Sequence, residues 1–409
     1  MLQQILSDAR LDAKACAGLL GINPSIFDEW ASGQRLIPQS IVPALATILG
    51  VEPDVFLVPS KKVTQAGAIW YKLRANELGE SDREYVFLIR QLAHYLNELE
   101  EVTEERSIAW RSSFDTVFKN VDTQSAPREQ GRLAARIFRS ERGLTHGATG
   151  IGGVIRPHLR MLGLLVIESN IPESVLEGCS FYVGQRPNDR PCIFANNYRT
   201  TWHRRNMTLM HELAHAIFDA PGDAASLDYR AVDSITPGCY TDDVKEQRAQ
   251  AFALECLIPK EVLRHATQTK GINWSRLQPE QLAMLVQLTT VEAGAVLTAA
   301  VEADYITHEQ AGVYSMMDIG QLLRDIDERA LTTDEYLGRL GLKDAPFAGK
   351  RSTTIPTRKL TLPVGYINRV LDAVRADKIS IGRAAELLMI HKDTFIERFP
   401  AYAEVQEEW

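Results

Sequence analysis

Met207-Thr-Leu-Met-His-Glu-Leu-Ala-His-Ala-Ile-Phe218 decides how the rest of the chain reads. Its residues are helix formers, and Leu209, Leu213, Ile217 and Phe218 recur at the spacing of a buried helical face. On such a helix His211 and His215 stand one turn apart and share a face. Two imidazoles so placed can bind one zinc ion, with Glu212 beside the metal to take a proton from water. The competing reading is a helix whose two histidines only hydrogen-bond.

A catalytic zinc site takes three protein ligands and keeps one position open. Glu246 opens a second helical stretch, Glu246-Gln-Arg-Ala-Gln-Ala-Phe-Ala-Leu-Glu-Cys-Leu-Ile-Pro259, whose Ala249, Phe252, Ala253 and Leu257 fall on one face. Other acids lie nearby in sequence: Asp219, Asp223, Asp228, Asp242 and Asp243. Glu246 is favoured because a helix holds a ligand more rigidly than a loop does.

A chain of 409 residues is long enough for about two to four domains. No apolar run approaches a membrane span, and no charged segment followed by an apolar core suggests export, so a cytoplasmic setting without membrane contact is expected. Five scattered cysteines (Cys16, Cys179, Cys192, Cys239, Cys256) form no Cys-x-x-Cys and read as reduced, mostly buried thiols. The net charge of -8 gives no global footprint for nucleic acid, so any DNA contact has to be local.

Residues 1–58 read as a small helical bundle. A helix ends at Leu20, Gly21-Ile22-Asn23 makes a turn, and Asn23 with Pro24 starts the next helix. This Ala-x-x-Leu-Gly-Ile…Trp-x-x-Gly…Pro layout resembles the helix-turn-helix of the XRE/Cro-type repressor family over about 55 residues. Lys14, Ser25 and Arg35 are the positions that would touch DNA or a partner. The balance is acidic, however: Arg10, Lys14 and Arg35 face Asp8, Asp12, Asp28, Glu29, Glu52 and Asp54. Phosphate neutralisation dominates DNA affinity, so DNA binding and protein docking both stay open.

Residues 59–127 form a helical connector. Within it 82–105 reads as a long amphipathic helix with Val86, Ile89, Leu92, Leu96 and Leu99 on one stripe. The stripe suits a core; a homodimer contact is the alternative. The acidic end, Glu98 to Glu105, reads as a solvated face.

Residues 128–265 form the metal-binding core. Helices are expected over Glu129–Arg142 and Val154–Leu162, separated by a Gly-rich stretch. Leu164–Glu168, Cys179–Val183 and Pro191–Asn196 read as strands. An edge strand there can pair with an extended peptide. Arg204 seven residues before His211, Thr208-Leu209, the His-Glu-Leu-Ala-His motif and the block Glu246-x-x-Ala249-x-x-Phe252-Ala253…Pro259 resemble the ImmA/IrrE metallopeptidases. The resemblance spans roughly residues 60–310 and implies a zincin-like (minigluzincin) domain with a small sheet. It makes His211, His215 and Glu246 the metal ligands and Glu212 the general base, with zinc, or manganese, as the ion. Ala214, Met207 and Gln250 depart from the family pattern without removing a ligand. An oxyanion also needs stabilising; His203, Arg204, Tyr229 and Tyr240 are the candidates, and the sequence does not choose among them.

Residues 266–345 read as a helical domain and 346–363 as a linker. Residues 364–409 form a small module with a second helix-turn-helix-like pattern. The whole is α+β and mostly helical. The resemblance implies a cytoplasmic metalloendopeptidase that cleaves a partner repressor or antitoxin and so releases genes. A DNA-binding regulator, or an anti-repressor that does not cut, is the alternative.

Overall fold

Helix boundaries follow local chemistry. The computed structural model describes residues 13–42, 80–104, 110–122, 124–144, 150–171, 176–183, 190–198, 200–218, 244–332 and 362–403, with residues 2, 3, 6, 45 and 56. In the first part, α1 (Ala13–Leu20) and α2 (Pro24–Ala31) flank a turn at Gly21, whose φ of 66° suits glycine. The Asn23 side chain accepts from the Ser25 N–H at 2.9 Å, and Pro24 occupies the first turn, as their types dictate. Phe27 and Trp30 face inward, while Ser25 and Lys14 are exposed.

The long helix α3 (Glu80–Val102) buries Ile89, Leu92, Leu96 and Leu99 within the chain, against α1 and the sheet. Its acidic end differs from the solvated face expected. Glu100 accepts from Arg190 at 2.6 Å and from Arg369 at 2.9 Å, and Glu98 pairs with Arg383. The cations come from residues remote in sequence, so nothing near Glu98 announces them.

Next come α4 (Asp115–Asn120), α5 (Pro127–Glu141) and α6 (Ile155–Met161). The sheet has order β1-β3-β2: β1 (Leu165–Ser169) pairs in parallel with β3 (Arg190–Asn196), and β2 (Gly178–Val183) pairs antiparallel with β3. The strands are almost wholly buried, which explains their continuous apolar runs. Then follow α7 (Trp202–Phe218) and α8 (Val244–Leu257), the two helices of the motif blocks. They are followed by α9 (Lys260–Lys270), α10 (Pro279–Thr289), α11 (Ala293–Glu302), α12 (His308–Ser315) and α13 (Gly320–Ile326). The final group is α14 (Val364–Arg375), α15 (Ile381–Leu387), α16 (Lys392–Arg398) and α17 (Pro400–Ala403). Buried side chains from Leu2 to Phe395 make one continuous cluster. No single described helix is long and apolar enough to cross a membrane. The four described cysteines are buried and none is in a disulfide; Cys239 lies outside the described residues.

Two devices fix α7 and α8. Glu168 on β1 accepts from Arg156 on α6 at 2.6 Å and from Arg205 at the start of α7 at 3.1 Å. All three side chains are largely buried. Burial alone would raise the Glu168 carboxyl; the Arg156 hydrogen bonds and the charges of Arg156, Arg205 and Arg160 override it and hold it below its ordinary value. Arg156 also stacks on Trp202, 3.6 Å from the ring centroid. On the other side α5 lies directly on α8. A Cβ at Gly131 would sit 2.3 Å from the Arg248 carbonyl oxygen, so only glycine permits that approach.

Gly131→Ala is expected to destabilise the protein by about 1–3 kcal/mol through forced separation of two packed backbones. Gly312→Ala, on exposed α12 with nothing within 4 Å of its Cβ, is expected to leave stability unchanged or raise it by up to ~1 kcal/mol. Denaturant unfolding of the two variants distinguishes these outcomes. Because the folded Glu168 is more acidic than the unfolded one, its contribution is complete above the ordinary carboxylate range and is lost as pH falls through the lowered folded value. Glu168→Gln, which strands two buried guanidiniums, is expected to cost about 3–5 kcal/mol at neutral pH and to flatten the acid limb of a stability–pH profile.

Candidate metal centre

α7 presents His211, Glu212 and His215 to a space closed by α8 and β2. The motif helix is buried almost throughout: all three of these side chains, with Met207, Leu209, Leu213 and Ala214, are out of solvent. The rings of His211 and His215 are 4.8 Å apart, and their Nε2 atoms meet at 3.0 Å. Glu246, in the first turn of α8, lies across them. One carboxylate oxygen is 3.1 Å from His211 Nε2 and the other is 3.1 Å from His215 Nε2. The three side chains thus form a triangle of donors, in which the two imidazole nitrogens face different oxygens of the one carboxylate. Donors at the usual zinc bond lengths of a tetrahedral site stand about 3.3 Å apart. The 3.0 Å between the two imidazole nitrogens is close to that spacing, and the donor set is one zinc favours. Among the described residues this is the one group of three or more metal-type side chains brought together.

The electrostatics agree. Burial alone would raise the Glu246 carboxyl, but the hydrogen bonds and charges of His211 and His215 hold it far below the ordinary carboxylate range. That direction favours the ionised form, the one in which a carboxylate can hold a metal. Glu212 behaves oppositely: burial raises its carboxyl, and neighbouring Glu246 adds to this against the two histidines and a hydrogen bond from Ser180. A carboxylate whose affinity for protons is raised, beside a metal triad, is suited to proton transfer.

Two residues of this site carried no sequence signal. Ser180 on β2 holds Glu212 by its hydroxyl. Gly178 lets the strand approach α7: a Cβ there would lie 2.4 Å from Thr208 Cγ2 and 3.3 Å from Glu212 Cγ. Alternation along β2 would have placed both on one face, but the partner helix is not visible in that pattern. Tyr182, two residues on, donates to the Ala216 carbonyl at 2.6 Å and pins the strand along the helix.

His203 is buried, with Nε2 3.1 Å from Asp327, which also takes Arg329. Burial lowers the His203 imidazole, against the pull of Asp327. Arg204 pairs with Glu177, just ahead of β2. Tyr229 and Tyr240 lie outside the described residues. Arg35 is 3.3 Å from Glu29, while Ser25 and Lys14 are on the exposed side of the first two helices.

Residues 160–292 match the family described as IrrE N-terminal-like domain, Peptidase_M78. The matched span holds the sheet, α7 and α8, and so includes all three donors and Glu212. It supports the ImmA/IrrE resemblance for this part of the chain and suggests a metallopeptidase. No curated protein and no solved structure matches the chain.

Zinc added to metal-free protein is expected to bind at one ion per chain and to raise Tm. His211→Ala and Glu246→Ala should lose both effects, and Glu212→Gln should keep them, as read by metal analysis and calorimetry. Binding to such donors releases protons, so affinity should fall as the solution is acidified.

Proposed function

We propose that the chain is a zinc-dependent endopeptidase that cuts a partner transcriptional repressor or antitoxin. The observation that carries this reading is the placement of Glu212. Its carboxylate lies beside the His211–His215–Glu246 triangle, raised by burial and steadied by Ser180. Zinc held there lowers the pKa of water and polarises a carbonyl; manganese on the same donors is the alternative ion. Glu212 takes the proton of the attacking water and passes it to the leaving amine. β2, one of the two edge strands of the sheet among the described residues, runs along the motif helix beside Glu212. An extended peptide added at that edge would have its backbone held next to the triangle, which favours a peptide as substrate over a small molecule.

The terminal modules then serve recruitment. α1 and α2 carry the XRE/Cro-like layout with an acidic balance, which suits docking against a basic DNA-binding partner better than DNA itself. In the last module Arg369 and Arg383 are engaged by Glu100 and Glu98 of α3, leaving fewer cations for phosphate. These pairings weigh against the alternative of a DNA-binding regulator. The anti-repressor that does not cut remains the other outcome of the test below.

Co-expression of the chain with repressors and antitoxins encoded beside it is expected to yield a discrete cleavage product from one of them. Glu212→Gln should slow that cleavage by ~10²–10⁴-fold while retaining zinc. If every repressor stays equally intact with the wild type and with Glu212→Gln, the protease assignment fails. Binding without cutting would then identify an anti-repressor.

A further inference from the structure

A second cavity lies away from the metal triangle, between α5, α8, α9 and α11, with a volume of about 490 Å³. That is within the range of small-ligand sites, roughly 300–1,000 Å³. Its wall is mixed. Leu254, Ile258, Pro259, Ala299 and Ala303 supply an apolar side. The polar side is formally balanced, with four cations and four acids, but the charges are unequally placed. Arg132 is paired with Glu129 at 2.6 Å and with Glu302 at 3.1 Å, and Arg136 with Glu255 at 2.9 Å. Lys260 and Glu261 sit at the exposed rim.

Arg139 is the exception. It is 4% exposed, the most buried cation of the cavity wall. Its guanidinium donates to the Cys256 and Leu144 carbonyl oxygens, each at 2.6 Å. Among the described residues no carboxylate bonds it; Glu255 and Glu261 act on it only through space. A guanidinium has about five N–H groups, so two carbonyls leave donors over. A buried cation without a contacting counter-ion is costly and favours an anion beside it.

We propose that this cavity binds a small organic monocarboxylate with an apolar tail. The one buried cation of the wall that no carboxylate bonds suits a monoanion. A carboxylate fits the planar fork of Arg139 through charge-assisted hydrogen bonds, and the tail lies along Leu254, Ile258, Ala299 and Ala303. The site is independent of the metal chemistry, since none of its lining residues belongs to the triangle or touches Glu212's hydrogen bond.

Hexanoate is the probe, with hexanamide as the neutral match and inorganic phosphate as the tail-less anion. Hexanoate titrated into the full chain is expected to bind saturably and to raise Tm by ~2–4 °C, with little response to hexanamide or phosphate. Arg139→Gln should weaken binding by at least ~10-fold. Because that change also removes two structural hydrogen bonds, Ala303→Phe provides a second test: it fills the apolar side, leaves Arg139 intact and should abolish hexanoate binding. Absence of binding, an equal response to hexanamide, or binding that survives Ala303→Phe overturns the proposal. A response to phosphate that exceeds hexanoate overturns the assignment of a tailed carboxylate.

Discussion

The metal triangle depends on the desolvated meeting of Glu246 with two imidazoles. None of the three is stable there alone. A buried carboxylate is costly without positive charge or hydrogen bonds, and two imidazole nitrogens 3.0 Å apart compete for one partner. Together they define a point where a cation is strongly favoured. Helix packing creates that point. α8 brings Glu246 to α7 because α5 backs it at a backbone distance only Gly131 allows, and α7 is held at its start by Arg205 on Glu168. Ligation and fold are thus coupled: what separates the helices also breaks the donor set.

Much of the site was legible in the sequence because it rests on short-range periodicity. His211 and His215 are four residues apart, and the helix geometry does the rest. The strands showed as apolar runs, and their bounds differ from expectation by a residue or so. Glu246 required a judgement among several acids, decided by rigidity. Ser180 and Gly178 gave no sign, because their meaning comes from a helix some thirty residues away. A serine in a strand looks the same whether it meets solvent or a buried carboxylate.

Charge counting was the weakest guide. The acidic stretch at the end of α3 looked solvated, yet Glu100 sits between Arg190 and Arg369 with its side chain 14% exposed. Likewise two bases of the last module, Arg369 and Arg383, are tied to α3. A tally gives the sum of charges but not their pairing, and pairing determines whether a phosphate or a protein surface finds a cation. The same lesson holds at Arg139, where a balanced wall conceals one unmatched guanidinium. Separation in sequence, up to 285 residues between Arg383 and Glu98, is what hides these partners.

The start of the metal helix is completed from far downstream. His203 bonds Asp327 across 124 residues, and Thr201 bridges Thr332 beside it. On a translating ribosome adding ~5–20 residues per second, Asp327 emerges about 6–25 s after His203. Once Glu246 has been made, about a third of the way through that interval, the donor triangle is complete in sequence while the helix that carries two of its members still lacks the His203–Asp327 bond at its start. Order of synthesis therefore separates possession of the three donor side chains from possession of the closed site, so that a nascent chain presents the first well before the second.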